Sequence, residues 1–222
     1  SHERGPSHQP HQPHPAHQPG KSPMKIIEST NKRAIEQLFA KKESTDRVFE
    51  RKVATIVQKV RTGGDKALLR FAKQFDNLSL PIEVSREEME AEAAKLPVDV
   101  RLAIRNAAKN IARVAAKQIP KHFDIEVVKG VTIEQRVEPL ESVGCYVPGG
   151  RFPLPSSLLM TAVPARVAGV RNIITVCPKP EGAVMAAALE AGVTKLFRIG
   201  GAHAVAALAY GTESIPRVDK IV

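Results

Sequence analysis

The chain has 222 residues, 43% of them hydrophobic and 25% charged, with a formal net charge of +10. That length can bury a core in one large domain or two small ones. No apolar run reaches the roughly 18 residues that cross a bilayer, which argues against a membrane partner.

Residues 1–23 are rich in His, Gln and Pro and nearly free of apolar side chains, so disorder is expected there. His8, His11, His14 and His17 recur every third residue, the period of polyproline II. Weak transition-metal binding and a passive extension are the two readings, and the passive one is simpler. Met24-Lys25-Ile26-Ile27 reads as a natural beginning.

Residues 24–120 read as a helical region. Thr45 or Asp46 caps a segment carrying Val48, Phe49, Val53, Ile56, Val57 and Val60 at helical spacing, and Gly63-Gly64 stops it. Asp65 opens a second helix with Leu68, Leu69, Phe71 and Ala72. Ser85 and Glu88 have the spacing of a capping box before a helix over residues 86–95. Pro97 begins a further helix with an inner face of Leu102, Ile104, Ala108, Ile111 and Ala115, closed by Pro120. On it Arg101, Arg105, Lys109, Arg113, Lys117 and Lys121 recur every fourth residue, with no acid between Asp99 and Asp124. A four-residue step drifts about 40° per turn, so these charges wind around the helix as a slow ridge. The ridge is read either as a contact for nucleic acid or an acidic partner, or as a solvated face neutralised from elsewhere. No aromatic residue interleaves it for base stacking, which favours the second reading and no nucleic-acid partner.

A hairpin follows, with residues 124–128 and 131–137 joined at Lys129-Gly130. The pattern then becomes strand and helix by turns. Strands fall at 143–147, 172–177, 195–199 and 219–222, and helices at 155–168, 181–191 and 202–210. Such alternation argues a parallel, helix-covered sheet, so residues 121–222 form an α/β domain of βαβαβαβ type. In open α/β sheets ligands sit outside the carboxyl ends of the strands. The last strand reaches Val222, so the loop expected to complete a site would come after it.

Two strand ends carry glycine pairs, Gly149-Gly150 and Gly200-Gly201. Each stands before a helix and could admit a ligand backbone-close, or could simply be a tight turn. Neither stretch is GxGxxG, and no P-loop is present. His203 begins the helix after Gly200-Gly201-Ala202, where it could meet a ligand or bond locally. His122 reads as a surface residue. Cys145 beside the first turn could act as a nucleophile, but it has no His partner in sequence, and a small apolar role is the plainer reading. Cys145 and Cys177 form no CxxC pair and no secretory signal is present, which suggests a reduced, cytoplasmic setting. No HxxxH pair or acidic cluster assembles a metal site.

Ser142-Val-Gly-Cys-Tyr-Val-Pro-Gly-Gly150, Pro153-Leu-Pro-Ser-Ser-Leu-Leu-Met160 and Thr161-Ala-Val-Pro-Ala-Arg-Val-Ala-Gly169 resemble histidinol dehydrogenase. So do residues 199–214, Ile-Gly-Gly-Ala-His-Ala-Val-Ala-Ala-Leu-Ala-Tyr-Gly-Thr-Glu-Ser, and residues 215–222, Ile-Pro-Arg-Val-Asp-Lys-Ile-Val. The likeness runs from about Met24 to Val222 and is densest after Glu138.

The resemblance implies an incomplete Rossmann-like, aldehyde dehydrogenase-like sheet. It also implies a zinc-dependent cytoplasmic homodimer that oxidises L-histidinol to L-histidine through L-histidinaldehyde with two NAD. Carried over by position, Tyr146 resembles the family's tyrosine at the NAD site. His203 stands where many members have a glutamine that contacts NAD. Gly149, Gly150, Gly200 and Gly201 match the cofactor-side turns, and Ser156 lies at the helix start facing them. The family's zinc ligands and its Glu-His acid–base pair match nothing up to Val222, so no catalytic or metal residue is assigned. The chain is therefore expected to be an N-terminal half, silent alone. The rival readings are a non-catalytic binding or assembly module using the basic helix 101–121, and an aldehyde dehydrogenase-like enzyme using Cys145.

Overall fold

The computed structural model describes residues 27–39, 47–149 and 153–222. The chain divides into two compact units, Ser1–Thr45 and Asp46–Val222. The His-rich head, the proposed Thr45 or Asp46 cap and Gly150 lie outside the described residues. In the first unit, α1 (Lys32–Phe39) begins where Asn31 Oδ1 accepts the Ala34 N–H at 3.1 Å, the side-chain cap that helix starts favour.

In the second unit α2 (Arg47–Phe75) runs through the expected stop and kinks there instead. Gly64 takes φ 51° and ψ −141°, a conformation open almost only to glycine. The kink is clamped from the far end of the chain. Glu213 Oε2 accepts the Asp65 N–H at 2.7 Å, and the Ser214 hydroxyl donates to Asp65 Oδ2 at 2.5 Å. Burial pushes the Asp65 carboxyl up, but hydrogen bonds from Ser214 and Thr212 outweigh this and hold it below its ordinary value.

A short strand, β1 (Glu83–Val84), follows and precedes α3 (Arg86–Ala94) and α4 (Val98–Gln118). Sequence reading missed β1, because two residues are too few to show an alternating pattern. Ser85 caps α3 by accepting the Glu88 N–H at 3.1 Å. The return half of the capping box does not form, since the Glu88 carboxylate pairs with Arg198. On α4, Ile104, Ala108 and Ala115 are buried, while Leu102 is 53% exposed. Two residues before Ile104 means about 200° around the helix, which puts Leu102 on the opposite face.

The hairpin β2 (Phe123–Val128) and β3 (Val131–Gln135) forms a separate, exposed two-stranded sheet. The main sheet then assembles from β4 (Ser142–Tyr146), β5 (Asn172–Val176), β6 (Lys195–Phe197) and β7 (Lys220–Ile221). Between them run α5 (Pro155–Val167), α6 (Gly182–Ala191) and α7 (Gly201–Tyr210). Its order is β1-β6-β5-β4-β7, parallel throughout except for the antiparallel β1 edge.

Both faces of the sheet are covered. Val143, Cys145, Ile173 and Leu196 pack in one core with residues of α3, α4, α5 and α6. Ile174, Val176 and Phe197 pack in the other with residues of α2 and α7. Alternate residues of one strand thus enter different cores, which is why the strands read as continuous apolar runs. Among the described residues no helix is long and apolar enough to cross a membrane.

Candidate functional site

From β4 the chain winds outward through β5 to β6 and then crosses back to place β7 on the other side of β4. The reversal makes a topological switch point between β4 and β7, where open α/β sheets form their crevice. Val222 is tied into it, its carbonyl accepting the Tyr146 N–H at 2.8 Å and its N–H donating to Gly144 O at 2.9 Å. At the opposite end of these strands, Asp219 Oδ2 accepts from the Ser142 hydroxyl at 2.8 Å and the Ser142 N–H at 2.9 Å. Those two bonds hold the Asp219 carboxyl below its ordinary value.

Tyr146 leaves the carboxyl end of β4, and its Oη accepts the Gly201 N–H at 3.1 Å. The phenol keeps its own proton and so can still donate. This bond joins the first glycine turn to the second. Pro178, after β5, wedges between them: a Cβ on Gly149 would lie 2.8 Å from its ring, and one on Gly200 only 2.2 Å away. Both glycines are therefore required by the packing of three strand-end loops, whatever else they serve. Gly201 is exposed, and so is Ser156 in the first turn of α5. Pro155 at the start of α5 contributes no N–H there, and no side-chain cap closes that end.

His203 is only 2% exposed. Its Nε2 lies 2.8 Å from Asp76 Oδ2, and the same oxygen accepts the Gly200 N–H at 3.2 Å. Phe71 and Phe75 flank the imidazole at centroid distances of 6.1 and 6.0 Å. Asp76 was missed by sequence reasoning. It sits at the end of α2, 127 residues from His203, and no local pattern marks it. A similar clamp forms below β6. Arg198, 6% exposed, donates to Pro81 O at 2.9 Å and Glu83 O at 3.2 Å, and pairs with Glu88.

Asp76 also lines a cleft of about 330 Å³ with Phe75, Pro148, Gly149, Pro178 and Glu181. It opens at the carboxyl ends of β4 and β5. Cys145 and Cys177 are buried, and burial raises both thiols, Cys177 to about 11. A neutral buried thiol is a poor nucleophile, which fits the apolar reading of Cys145. His122 is exposed, its Nδ1 accepting the Val137 N–H at 3.4 Å. The basic ridge is exposed from Arg101 to Lys117 along α4. The helix ends at Gln118 before Pro120 and so leaves Lys121 beyond it, and Arg105 pairs with Glu190 of α6 at 3.0 Å. Among the described residues no group of three or more His, Cys, Asp or Glu could hold a metal ion.

Comparison with known proteins matches residues 39–222 to the model of the family described as histidinol dehydrogenase. A histidinol dehydrogenase of Gluconobacter oxydans is 44% identical over 192 residues, covering 83% of this chain and 45% of that protein. One from Methanothermobacter thermautotrophicus is 44% identical over 205 residues, covering 90% of this chain and 48% of that protein. The crystal structure of histidinol dehydrogenase from Elizabethkingia anophelis superposes with a TM-score of 0.73 at 35% identity, over 78% of this chain and 41% of that one. The chain thus spans about half the length of the curated relatives it matches.

Proposed function

The chain belongs to the histidinol dehydrogenase family, and on that premise we propose that it forms the NAD-side portion of an enzyme oxidising L-histidinol to L-histidine through the aldehyde. The observation that carries this reading is the bond from the Gly201 N–H to Tyr146 Oη at 3.1 Å. It holds a tyrosine and a glycine turn together at the crevice side of the sheet, where a dinucleotide would lie.

The residues present fit the cofactor. Tyr146 retains a donor, Gly149 and Gly201 keep the rim low, and Ser156 offers a hydroxyl beside an uncapped helix start. NAD, when bound, accepts the hydride that leaves the substrate carbon. Gly150, outside the described residues, is assigned to the cofactor by the family resemblance alone. His203, buried against Asp76, acts in this reading by holding the second turn in place.

The described side chains do not fit the zinc that the family implies, since they assemble no cluster able to bind it. No step is assigned through that ion. Nor is a general base identified among them, so the chain alone is proposed to be catalytically silent. The homodimer and the cytoplasmic setting implied by the family belong to the same proposal.

The test has two readouts on the purified chain. NAD should perturb the NMR signals of Tyr146 and Gly201, and histidinol with NAD and zinc should yield no NADH absorbance. NADH formation would refute the silence, and an NAD titration that moves no signal would refute the cofactor role.

A further inference from the structure

A ridge neutralised from elsewhere in the fold would have an acid beside each of its cations. Among the described residues only Arg105 has such a partner, Glu190 at 3.0 Å. Arg101, Lys109, Arg113 and Lys117 are exposed and make no ion pair with any described residue. α4 itself carries one acid, Asp99 in its first turn. The ridge is thus a stretch of unpaired positive charge, on a chain whose formal net charge is +10. Such a field draws in a partner of opposite sign.

Next to the ridge, α3, α4 and α6 leave a groove of about 420 Å³ between them. Its floor is apolar, built from Ala93, Ile104, Ala186 and Leu189. Val98, 71% exposed, and Leu102 stand on its α4 side, together with the unpaired guanidinium of Arg101. Single exposed apolar side chains are ordinary on a surface, but an apolar trough bordered by unpaired cations offers two kinds of contact at once. Arg101 and Arg105 line the trough, whereas Lys109, Arg113 and Lys117 do not. Each four-residue step carries the next cation about 40° farther round the helix and away from it.

A partner that fits must therefore have two parts, apolar side chains for the trough and carboxylates for the three cations beyond it. Nucleic acid does not fit. Its charge is uniform along its length, while Glu90 and Glu190 line the trough and no aromatic side chain there can stack on a base. We propose that α4 and the trough dock an acidic helical segment of another protein, in the helix-in-groove manner. Its apolar anchors enter the trough beside Leu102, and its carboxylates meet Lys109, Arg113 and Lys117. From Val98 to Lys117 the surface runs about 28 Å, the length of roughly 19 helical residues.

The experiment is a fluorescence-anisotropy titration of the whole chain against a labelled peptide of about 19 residues. One half of the peptide is leucine and alanine, the other half is glutamate, and both orders of the halves are used. Binding of at least one order should saturate at about 50 mM salt and weaken several-fold at about 300 mM. Replacing the leucines by serine should weaken it at least about ten-fold. In the chain, Lys109→Glu, Arg113→Glu and Lys117→Glu together should weaken it at least about ten-fold, since three attractions become repulsions. Leu102→Ser should weaken it about five-fold. All four positions are exposed, so each variant should keep the circular dichroism of the parent.

Failure of both peptide orders to saturate would overturn the proposal. So would equal affinity for the serine peptide, or a folded triple variant that binds as the parent does. A short DNA duplex that binds more tightly than the peptide would overturn it in favour of nucleic acid. A dimer seen in sedimentation velocity and abolished by the triple variant would overturn it in favour of a second copy of this chain.

Discussion

Gly64 gives the sharpest test of how the sheet and the long helix are joined. At φ 51° and ψ −141° an added side chain strains the backbone by about 1–3 kcal/mol. Its Cβ would also stand 2.5 Å from Glu213 Oε2 and 2.8 Å from Oε1, so the carboxylate must leave the Asp65 N–H it accepts. That bond is exposed, which discounts it below the charged range to the ordinary net value of a hydrogen bond, about 1 kcal/mol. Gly64→Ala should therefore cost about 2–4 kcal/mol, a large share of the ~5–15 kcal/mol that holds a domain together. At about 2–4 °C per kcal/mol for a unit of this size, the melting temperature should fall by about 4–16 °C. Urea and thermal unfolding followed by circular dichroism measure it. Gly63→Ala is the control, since Gly63 has no positive φ, and a change within about 1 kcal/mol is expected. In a Glu213→Ala background the clash disappears, so Gly64→Ala should cost about 1 kcal/mol less there. A Gly64→Ala protein within about 0.5 kcal/mol of the parent would refute the clamp, and strict additivity with Glu213→Ala would refute its carboxylate part.

Three further expectations concern acid, thiol reagents and the tyrosine bond. Asp65 and Asp219 both have folded pKa values below the ordinary 3.8. A depressed carboxyl stabilises the fold above its unfolded pKa and loses that contribution as pH falls through the folded value. Stability should thus drop on acidification below about pH 4, less steeply in Asp219→Asn, as acid titration of the unfolding midpoint will report. Native Cys145 and Cys177 should resist a thiol reagent at neutral pH and react only after denaturation, because burial raises both thiols; fast labelling of the native chain would contradict this. Tyr146→Phe removes the acceptor for the Gly201 N–H and should cost about 1 kcal/mol of stability, with the Gly201 amide exchanging faster with solvent.

The α/β class and the strand and helix sequence from β4 to β7 were legible in the amino-acid order, and it singled out Tyr146, Gly149 and Gly201 as candidates for the proposed cofactor rim. Apolar runs, glycine breaks and helix periods are local, and the family-like motifs around them are long and contiguous. Ser85 shows how far a local signal reaches. Its cap on α3 forms as its spacing suggests, yet Glu88 turns away from the box to pair with Arg198 from beyond β6.

What the tertiary structure alone decided is of that second kind. It brought Asp76 to His203 and Gly200, Glu213 to the Asp65 N–H, and Pro178 between two glycine turns. It also added β1 to the edge of the sheet and turned Leu102 outward. Each such contact joins residues far apart along the chain, and its energy comes from burial and from unpaired donors meeting acceptors in space. Propensity and periodicity carry no record of such meetings. The sequence could thus mark a glycine turn at a helix start, while only the fold could reveal that the carboxylate of Asp76, just past α2, already accepts the Gly200 N–H.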